Sequence, residues 1–434
     1  MLTAAQLVPL APALRDTLSP NANGVDRAVA LAAAPESRGL APLSIDPEST
    51  AWALALGAMY VGLFWCARAI FARGGVRTTI RAVALTGLAL TTLVAVQRAT
   101  SPKLLYWIWT PLSAGASPYG PFVNRNGLAG WLAMAVPLAI GYAVARSASR
   151  PPIFGGFAAR LAALDATQLL LGGSACLMMG GLLGTLSRGG IFGGAAGLVV
   201  FVALAQSRQT EGRAAAGVAA AVAAMVAVGA MYANLGALAL RMQETTELGE
   251  WGRRAIWRDT AAMVRDFPLT GVGAGAFERG MLVYQSGSRQ FFFNHAHNEY
   301  LQIVAEGGLL VAIPAALAAL AAAATIARRL RADHTAVFWI RAGAVGGLVA
   351  VAVQSLFDTG LRTPANGVLF AVIAAIALHD RESNRGESDR REPEPAEKNR
   401  PGARTNPESR TPNPERAAAT RRRRGRESGA RAGA

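Results

Sequence analysis

His295 and His297 stand two residues apart in Asn294-His-Ala-His-Asn298 and make up half of the four histidines in the chain. An imidazole titrates near neutrality, so it can take a proton from a hydroxyl and hand it on. Each histidine has two readings here, as a proton acceptor or as a polar residue in a wet turn at a membrane boundary, and the second is favoured for His295. Metal binding is a third reading, because His295, His297 and Glu299 alternate and would share one face of an extended segment. Against it, the chain has no HExxH pair and no cysteine beside these residues, and Asn298 to Leu301 reads as a helix start that would break the alternation. Arg188, in Ser187-Arg-Gly-Gly190, interrupts an apolar stretch of about forty residues, where a charge is costly unless it has a partner or a task. It marks either a functional site or a loop from which the side chain snorkels outward.

These residues need elements to hold them, and the composition says what kind. Of 434 residues 52% are hydrophobic, and the mean hydropathy is +0.29. Charges crowd into a few places instead of coating a soluble surface. Runs of about 18 or more nearly uncharged residues are long enough to cross about 30 Å of hydrocarbon as helices. We expect an all-α, polytopic transmembrane helical bundle of about nine spans. They fall near 52–72, 80–97, 126–145, 167–185, 190–206, 214–235, 300–327, 338–356 and 364–379. Cys66 and Cys176 lie inside spans and read as small apolar residues.

The net charge of +16 would suit nucleic acid, but its distribution does not. Arginines gather at 73, 77 and 81, at 146, 150 and 160, at 208 and 213, and at 328, 329, 331 and 341. All four groups lie on one side, the cytoplasmic one, if the N-terminus is outside. Residues 98–125, the joint at 187–190, the segment 236–299 and residues 357–363 then share the far side. Met1 to Leu14 lacks the basic region and cleavage site of an export signal, so an outside start suggests that upstream helices are missing. From Asp380 onward the chain is polar and poor in large apolar residues and is expected to be disordered. Its Arg421–Arg424 run reads as a solvated cytoplasmic tail near anionic lipid, with no nucleic acid partner.

The segment 236–299 is too long for an ordinary connection and is the first place to look for function. Ile256, Trp257, Thr260, Met263, Val264 and Phe267 recur at helical spacing, with Arg253, Arg254, Arg258, Asp259 and Arg265 on other faces. The pattern predicts a short amphipathic helix at the membrane surface, with Trp257 at headgroup level, ended by Pro268. Gly271-Val-Gly-Ala-Gly275 reads as a tight turn, since no strand precedes it as in a phosphate-binding loop.

Four landmarks occur in order: Phe122-Val-Asn-Arg-Asn-Gly-Leu-Ala-Gly130; Ser187-Arg-Gly-Gly190; Arg254-Ala-Ile-Trp257 with Asp266-Phe-Pro-Leu-Thr-Gly-Val-Gly273; and His295-Ala-His-Asn-Glu-Tyr-Leu-Gln302 with Ala305-Glu-Gly-Gly-Leu309. Over residues 1–379 the chain resembles the O-antigen ligase and polymerase superfamily of bacterial membrane enzymes. Residues 1–51, with Ala41-Pro-Leu-Ser-Ile-Asp-Pro47, resemble its outside loop between early helices. The family's ligase pattern pairs a histidine and a following Asn, Ser or Gln with a later Gly-x-x-Gly. Here His297-Asn298 leads to Gly308-Leu-Leu-Val311, and the second glycine is absent.

The resemblance implies glycan transfer from an undecaprenyl diphosphate carrier at the periplasmic face of the inner membrane, without metal or other cofactor and with inversion. By family position, His297 is the catalytic base, and Arg188 and Arg254 bind the donor diphosphate. Arginine suits that task because its planar fork donates two parallel hydrogen bonds to phosphate. Asn124, Arg125, Asn298 and Glu306 are candidate substrate contacts, with two competing readings: Asn126 as a helix cap, and Glu306 as the residue orienting an arginine or the histidine. Asp358 and Arg362 are expected to pair with each other at helix ends. The expected partners are the lipid-linked glycan, a glycan or lipid acceptor, and membrane lipids. The reaction is ligation of a finished chain or polymerisation of repeat units; a lipid-linked glycan transporter and an inactive assembly scaffold are the rivals.

Overall fold

The computed structural model describes residues 2–30, 39–111, 118–150, 162–208, 219–220, 222–227, 250–287 and 292–380. The expected span at 214–235 falls largely outside these residues, as do Arg160, Arg213, residues 236–249 and the charged tail from Arg381. The described residues form helices and no strand, apart from isolated bridging pairs. Three short helices come first: α1 (Leu2–Ala5), α2 (Pro12–Leu18) and α3 (Ala22–Val29). Then follow α4 (Pro47–Ala72), α5 (Val76–Thr100), α6 (Arg125–Ala148), α7 (Ala166–Gly184) and α8 (Arg188–Arg208). The remaining helices are α9 (Glu250–Asp266), α10 (Phe277–Tyr284), α11 (Glu299–Ala332), α12 (Val337–Gln354) and α13 (Pro364–Ala377). Seven of them, α4 to α8, α11 and α12, are long and apolar enough to cross a bilayer, and α13 is a shorter apolar helix. The chain is a multi-pass membrane protein of all-α architecture.

Local chemistry sets where the helices begin. Asp46 caps α4 through the Ser49 amide at 3.2 Å and is followed by Pro47 in the first turn, where a missing N–H costs nothing. Asp165 and Gln168 form a reciprocal capping box at the start of α7. Asp165 also pairs with Arg146 and Arg150, which ties the end of α6 to the start of α7.

Burial separates centre from periphery. The apolar window of α6 is 89% buried, against 11% for α4 and 6% for α11, so α6 is the axis and the other two face lipid. Around α6, helices α8 and α12 approach so closely that their facing positions are glycine. A Cβ on Gly193 would overlap the Ala350 carbonyl oxygen, and one on Gly197 the Gly346 carbonyl oxygen. Gly141 and Gly343 meet the Trp339 and Pro137 carbonyls in the same way. In lipid, where apolar burial drives helices together only weakly, such close approach supplies dispersion contact.

A second, smaller core lies beyond the end of the bundle. Ile256, Met263 and Phe267 of the α9 region pack there with Val25, Ile45, Phe277, Met281 and Ala305. The expected amphipathic helix is present, and its apolar face turns to protein. Trp257 is likewise engaged within the protein, its indole N–H donating to the Ala296 carbonyl at 2.9 Å. The expected tight turn is present, with Gly271, Gly273 and Gly275 all at positive φ. It docks against a break in α11 at Gly308 (φ 57°, ψ −168°). The Leu309 and Leu310 amides donate to the Pro268 and Leu269 carbonyls at 2.9 and 3.1 Å, and the Val272 amide donates to Ala305 at 2.9 Å. Gln6 of the N-terminal segment locks the joint: its Nε2 donates to the Thr270 and Glu306 carbonyls at 2.7 and 2.8 Å, and its Oε1 accepts from the Ala274 amide at 3.1 Å.

The opposite end of the bundle is closed by arginines. Arg68 and Arg329 donate to the Leu378 carbonyl at the end of α13, and Arg341 bonds Asp333 at 2.6 Å and the His379 carbonyl at 2.9 Å.

Gly197→Val is expected to lower stability by about 3 kcal/mol or more, because two backbones must separate to admit the side chain. Gly62→Ala, at a site with nothing within 4 Å, is expected to be neutral or slightly stabilising. Thermal unfolding of both variants in detergent checks the contrast.

Candidate functional site

His297 is placed by the stitching of two helix ends. Asn298 caps α11, its Oδ1 accepting from the Leu301 amide at 3.0 Å while its Nδ2 donates to the Leu356 carbonyl at 3.2 Å. The Glu299 amide donates to the Ser355 carbonyl at 2.9 Å, and the Tyr300 hydroxyl to the Ala352 carbonyl at 2.8 Å. The start of α11 is thereby pinned to the end of α12. His297, just before the cap, is held at φ 52°, a left-handed conformation uncommon for a residue with a Cβ. Its Nδ1 lies 3.7 Å from Asp358 Oδ1, too far for a hydrogen bond and close enough for a charged imidazole to feel the carboxylate.

Both residues face a cavity of about 710 Å³. It is lined by Thr86 and Leu90 of α5 with Phe122, Asn124 and Trp131, and by Asn294, His295, His297, Asp358, Arg362 and Thr363. The lining therefore mixes polar groups with apolar side chains, and through Thr86 and Leu90 it reaches down a membrane span.

Arg362 answers to α11 and not, as expected, to Asp358. Glu299 and Glu306 are two helical turns apart and so share a face. Arg362 bridges them, with Nε 3.2 Å from Glu299 Oε1 and Nη2 2.8 Å from Glu306 Oε2. Burial pulls the guanidinium pKa down, but the carboxylates of Glu306 and Glu299 outweigh it and raise the pKa, which fixes the positive charge. The short helix Gly360–Arg362 turns the chain between the two residues, so Arg362 meets α11 while Asp358 meets His297.

Gln302 is wholly buried and connects this ion group to His295. Its Oε1 accepts from the Ala296 amide at 2.8 Å, which leaves Nε2 to donate to Glu306 Oε1 at 3.0 Å and to His295 Nδ1 at 3.3 Å. His295 Nδ1 is then an acceptor, and the neutral ring carries its proton on Nε2. Burial, reinforced by the Arg362 charge, pushes the His295 pKa down to about 4.

The arginines assigned by sequence sit at the same end of the bundle. Arg188 opens α8 and is half-buried. Beside it, the Ser187 hydroxyl donates to Asn126 Oδ1 at 2.8 Å, joining this turn to α6. Asn124, not Asn126, caps α6, its Oδ1 accepting from the Asn126 amide at 2.9 Å. Arg125, the next residue, is half-buried. Arg254 is exposed, whereas its neighbour Arg253 is half-buried, its pKa lowered by burial within reach of Asp358 and Arg188. Sequence reasoning missed Arg253, although helical phase carried the signal. At about 100° per residue, Arg253 lies roughly 60° from the buried Ile256 and Arg254 roughly 160°.

Glu306 and Asn298 both have their polar atoms engaged by protein, Glu306 holding Arg362 and Asn298 forming the cap. The three residues of the metal reading diverge, His295 to Gln302, His297 to Asp358 and Glu299 to Arg362, and no metal-ligand cluster occurs among the described residues.

Arg362→Gln leaves two carboxylates facing each other and is expected to cost about 3 kcal/mol, read as a lower unfolding temperature in detergent. His295 ties stability to pH. Its folded pKa near 4 lies below the 6.5 of the free side chain, so the unfolded chain binds the extra proton between these values. Its contribution to stability is thus complete above pH 6.5 and lost as the pH falls towards 4. Urea titrations across this range are expected to show a shallower pH slope for His295→Gln than for the native chain.

Residues 173–316 match the family described as O-Antigen ligase. The matched stretch runs from α7 into α11 and takes in Arg188, Arg253, Arg254, the glycine turn and His297. No curated protein matches the chain significantly. Residues 173–316 are thus similar to an O-antigen ligase domain, and that match, set in a polytopic helical bundle, supports the O-antigen ligase and polymerase superfamily of glycosyl-transferring enzymes.

Proposed function

We propose that this chain transfers a glycan from an undecaprenyl diphosphate carrier to an acceptor hydroxyl at the periplasmic face of the bacterial inner membrane. The observation that carries the reading is His297 facing Asp358 across 3.7 Å at a cavity whose lining reaches down a span through Thr86 and Leu90. In the reaction the acceptor oxygen attacks the anomeric carbon as its proton passes to His297. The bond from that carbon to the phosphate oxygen breaks, undecaprenyl diphosphate leaves, and attack from the opposite face inverts the centre. Asp358 stabilises the imidazolium cation through its nearby negative charge. Arg188 and Arg254 hold the diphosphate, and Arg253 is added to them because it feels the charges of both Arg188 and Asp358. With three guanidinium groups on the leaving diphosphate, no metal ion is required for charge neutralisation.

Asn124 lines the cavity and is a substrate contact, with Arg125 beside it. Asn298 and Glu306 act one step removed, through the α11 cap and Arg362. The periplasmic orientation is supported by the charge distribution, because Arg68, Arg329 and Arg341 gather at the far end of the bundle from the cavity. Val311, where the ligase pattern has its second glycine, favours repeat-unit polymerisation as the second reading.

Glycan transfer in membranes supplied with lipid-linked donor tests the proposal. With EDTA present and at equal expression, the native chain is expected to be active, and Arg188→Ala and His297→Ala inactive. Asp358→Asn is expected to slow turnover by about 10²-fold. Equal activity in all four proteins would remove the site assignment, and native membranes that move donor without joining it to acceptor would favour a transporter.

A further inference from the structure

Between α5 and the rim of the cavity the chain makes a tight aromatic hairpin. The Leu105 amide donates to the Trp109 carbonyl at 2.7 Å, the Trp109 amide returns to Leu105 at 3.0 Å, and the Ile108 amide closes the turn on Leu105 at 3.2 Å. Tyr106 and Trp107 are both left-handed, at φ 51° and 65°. Turns of this hand favour Asn, Asp or Gly, and none of these is present. The strain is held from below, where Leu105 is buried and Gln97 bonds the Leu104 carbonyl. The Trp107 indole N–H is satisfied within the protein by Thr100 Oγ1 at 2.7 Å.

This arrangement presents a tip that water would penalise. Ile108 is 85% exposed, and Tyr106, Trp107 and Trp109 are between 39% and 47% exposed. We propose that the hairpin Leu105–Trp109 is a membrane anchor that inserts into the headgroup and upper acyl region of the bilayer beside the cavity mouth. Three observations select lipid as the occupant. First, α5 has 25 residues, about 37 Å of helix against about 30 Å of hydrocarbon, so its last turn emerges at headgroup depth. Second, the hairpin combines amphipathic aromatic rings with an aliphatic tip, and Ile108 offers a sugar neither a hydrogen bond nor a ring to stack on. Third, the exposed Lys103 at its base suits anionic headgroups. The anchor sets the height of the cavity, because the same connection continues through Tyr119, under the Arg98 guanidinium at 4.7 Å, to Phe122 and Asn124 in the wall.

The test uses the full chain with Cys66→Ala and Cys176→Ala, spin-labelled at Ile108→Cys and reconstituted in vesicles of phosphatidylcholine and phosphatidylglycerol. Collisions of the label with oxygen are expected to exceed those with a water-soluble nickel chelate several-fold. A label reached mainly by nickel places the tip in water and overturns the proposal. So does a label shielded from both, which indicates cover by protein or by glycan. If the labelled variant unfolds, the native chain decides: headgroup-proximal brominated lipid must quench its tryptophan emission, and more so than in the Trp107→Phe, Trp109→Phe protein. Equal quenching in the two proteins would also overturn it.

Discussion

Steric contact between backbones is the constraint from which the rest of this structure follows. Where α8 and α12 meet at Gly193, Gly197 and Gly346, no side chain stands between the peptide planes. The distance is set by atoms that cannot change rotamer. With α6 clamped against the same pair, three helix ends arrive together at one end of the bundle. Those ends bring the Asn124–Asn126 entry of α6, the Ser187-Arg188 turn and the chain leaving α12 towards Asp358. The candidate site is thus assembled by helices that have no freedom to slide.

Polar groups then fix what steric contact leaves open. Two glutamates on α11 would repel each other in a buried place, and Arg362 reconciles them only if the loop after α12 folds back. That same fold presents Asp358 to His297. Gln302 extends the order to His295 through the single amide orientation that satisfies every neighbour. The two histidines, alike in sequence, become different in chemistry: His295 is a buried acceptor, while His297 keeps an unbonded Nδ1 beside a carboxylate.

Much of this was legible in the sequence, and the boundary of legibility is physical. Hydropathy marked the spans because a run of about twenty apolar residues matches the thickness of bilayer hydrocarbon. The Ser187-Arg188 and His297-Asn298 landmarks stood out as polar residues at the edges of apolar runs. Helix phase would have separated Arg253 from Arg254 had the buried face been known, but that face packs in part on the N-terminal segment, which lies far away in sequence. The partnership of Arg362 with Glu299 and Glu306 was hidden for the same reason. Asp358 and Arg362 are near neighbours in sequence, and proximity suggested a pair that the turn at Gly360 separates. Gln6 carried no signal, since three hydrogen bonds to carbonyls and an amide leave no pattern in residue types.

The break at Gly308 makes α11 two mechanical parts. Its first turns belong to the small outer core through Ala305 and the glycine turn, while the rod beyond Gly308 touches the bundle chiefly at its far end. Bilayers differ in thickness, and a long apolar helix meets the difference by tilting. A joint placed just below the site lets the rod tilt while the outer part stays pinned to Val272 and Gly273, whose amides donate to the Ala305 and Glu306 carbonyls. Adaptation to the thickness of the host membrane is thereby mechanically decoupled from the alignment of His297 with Asp358.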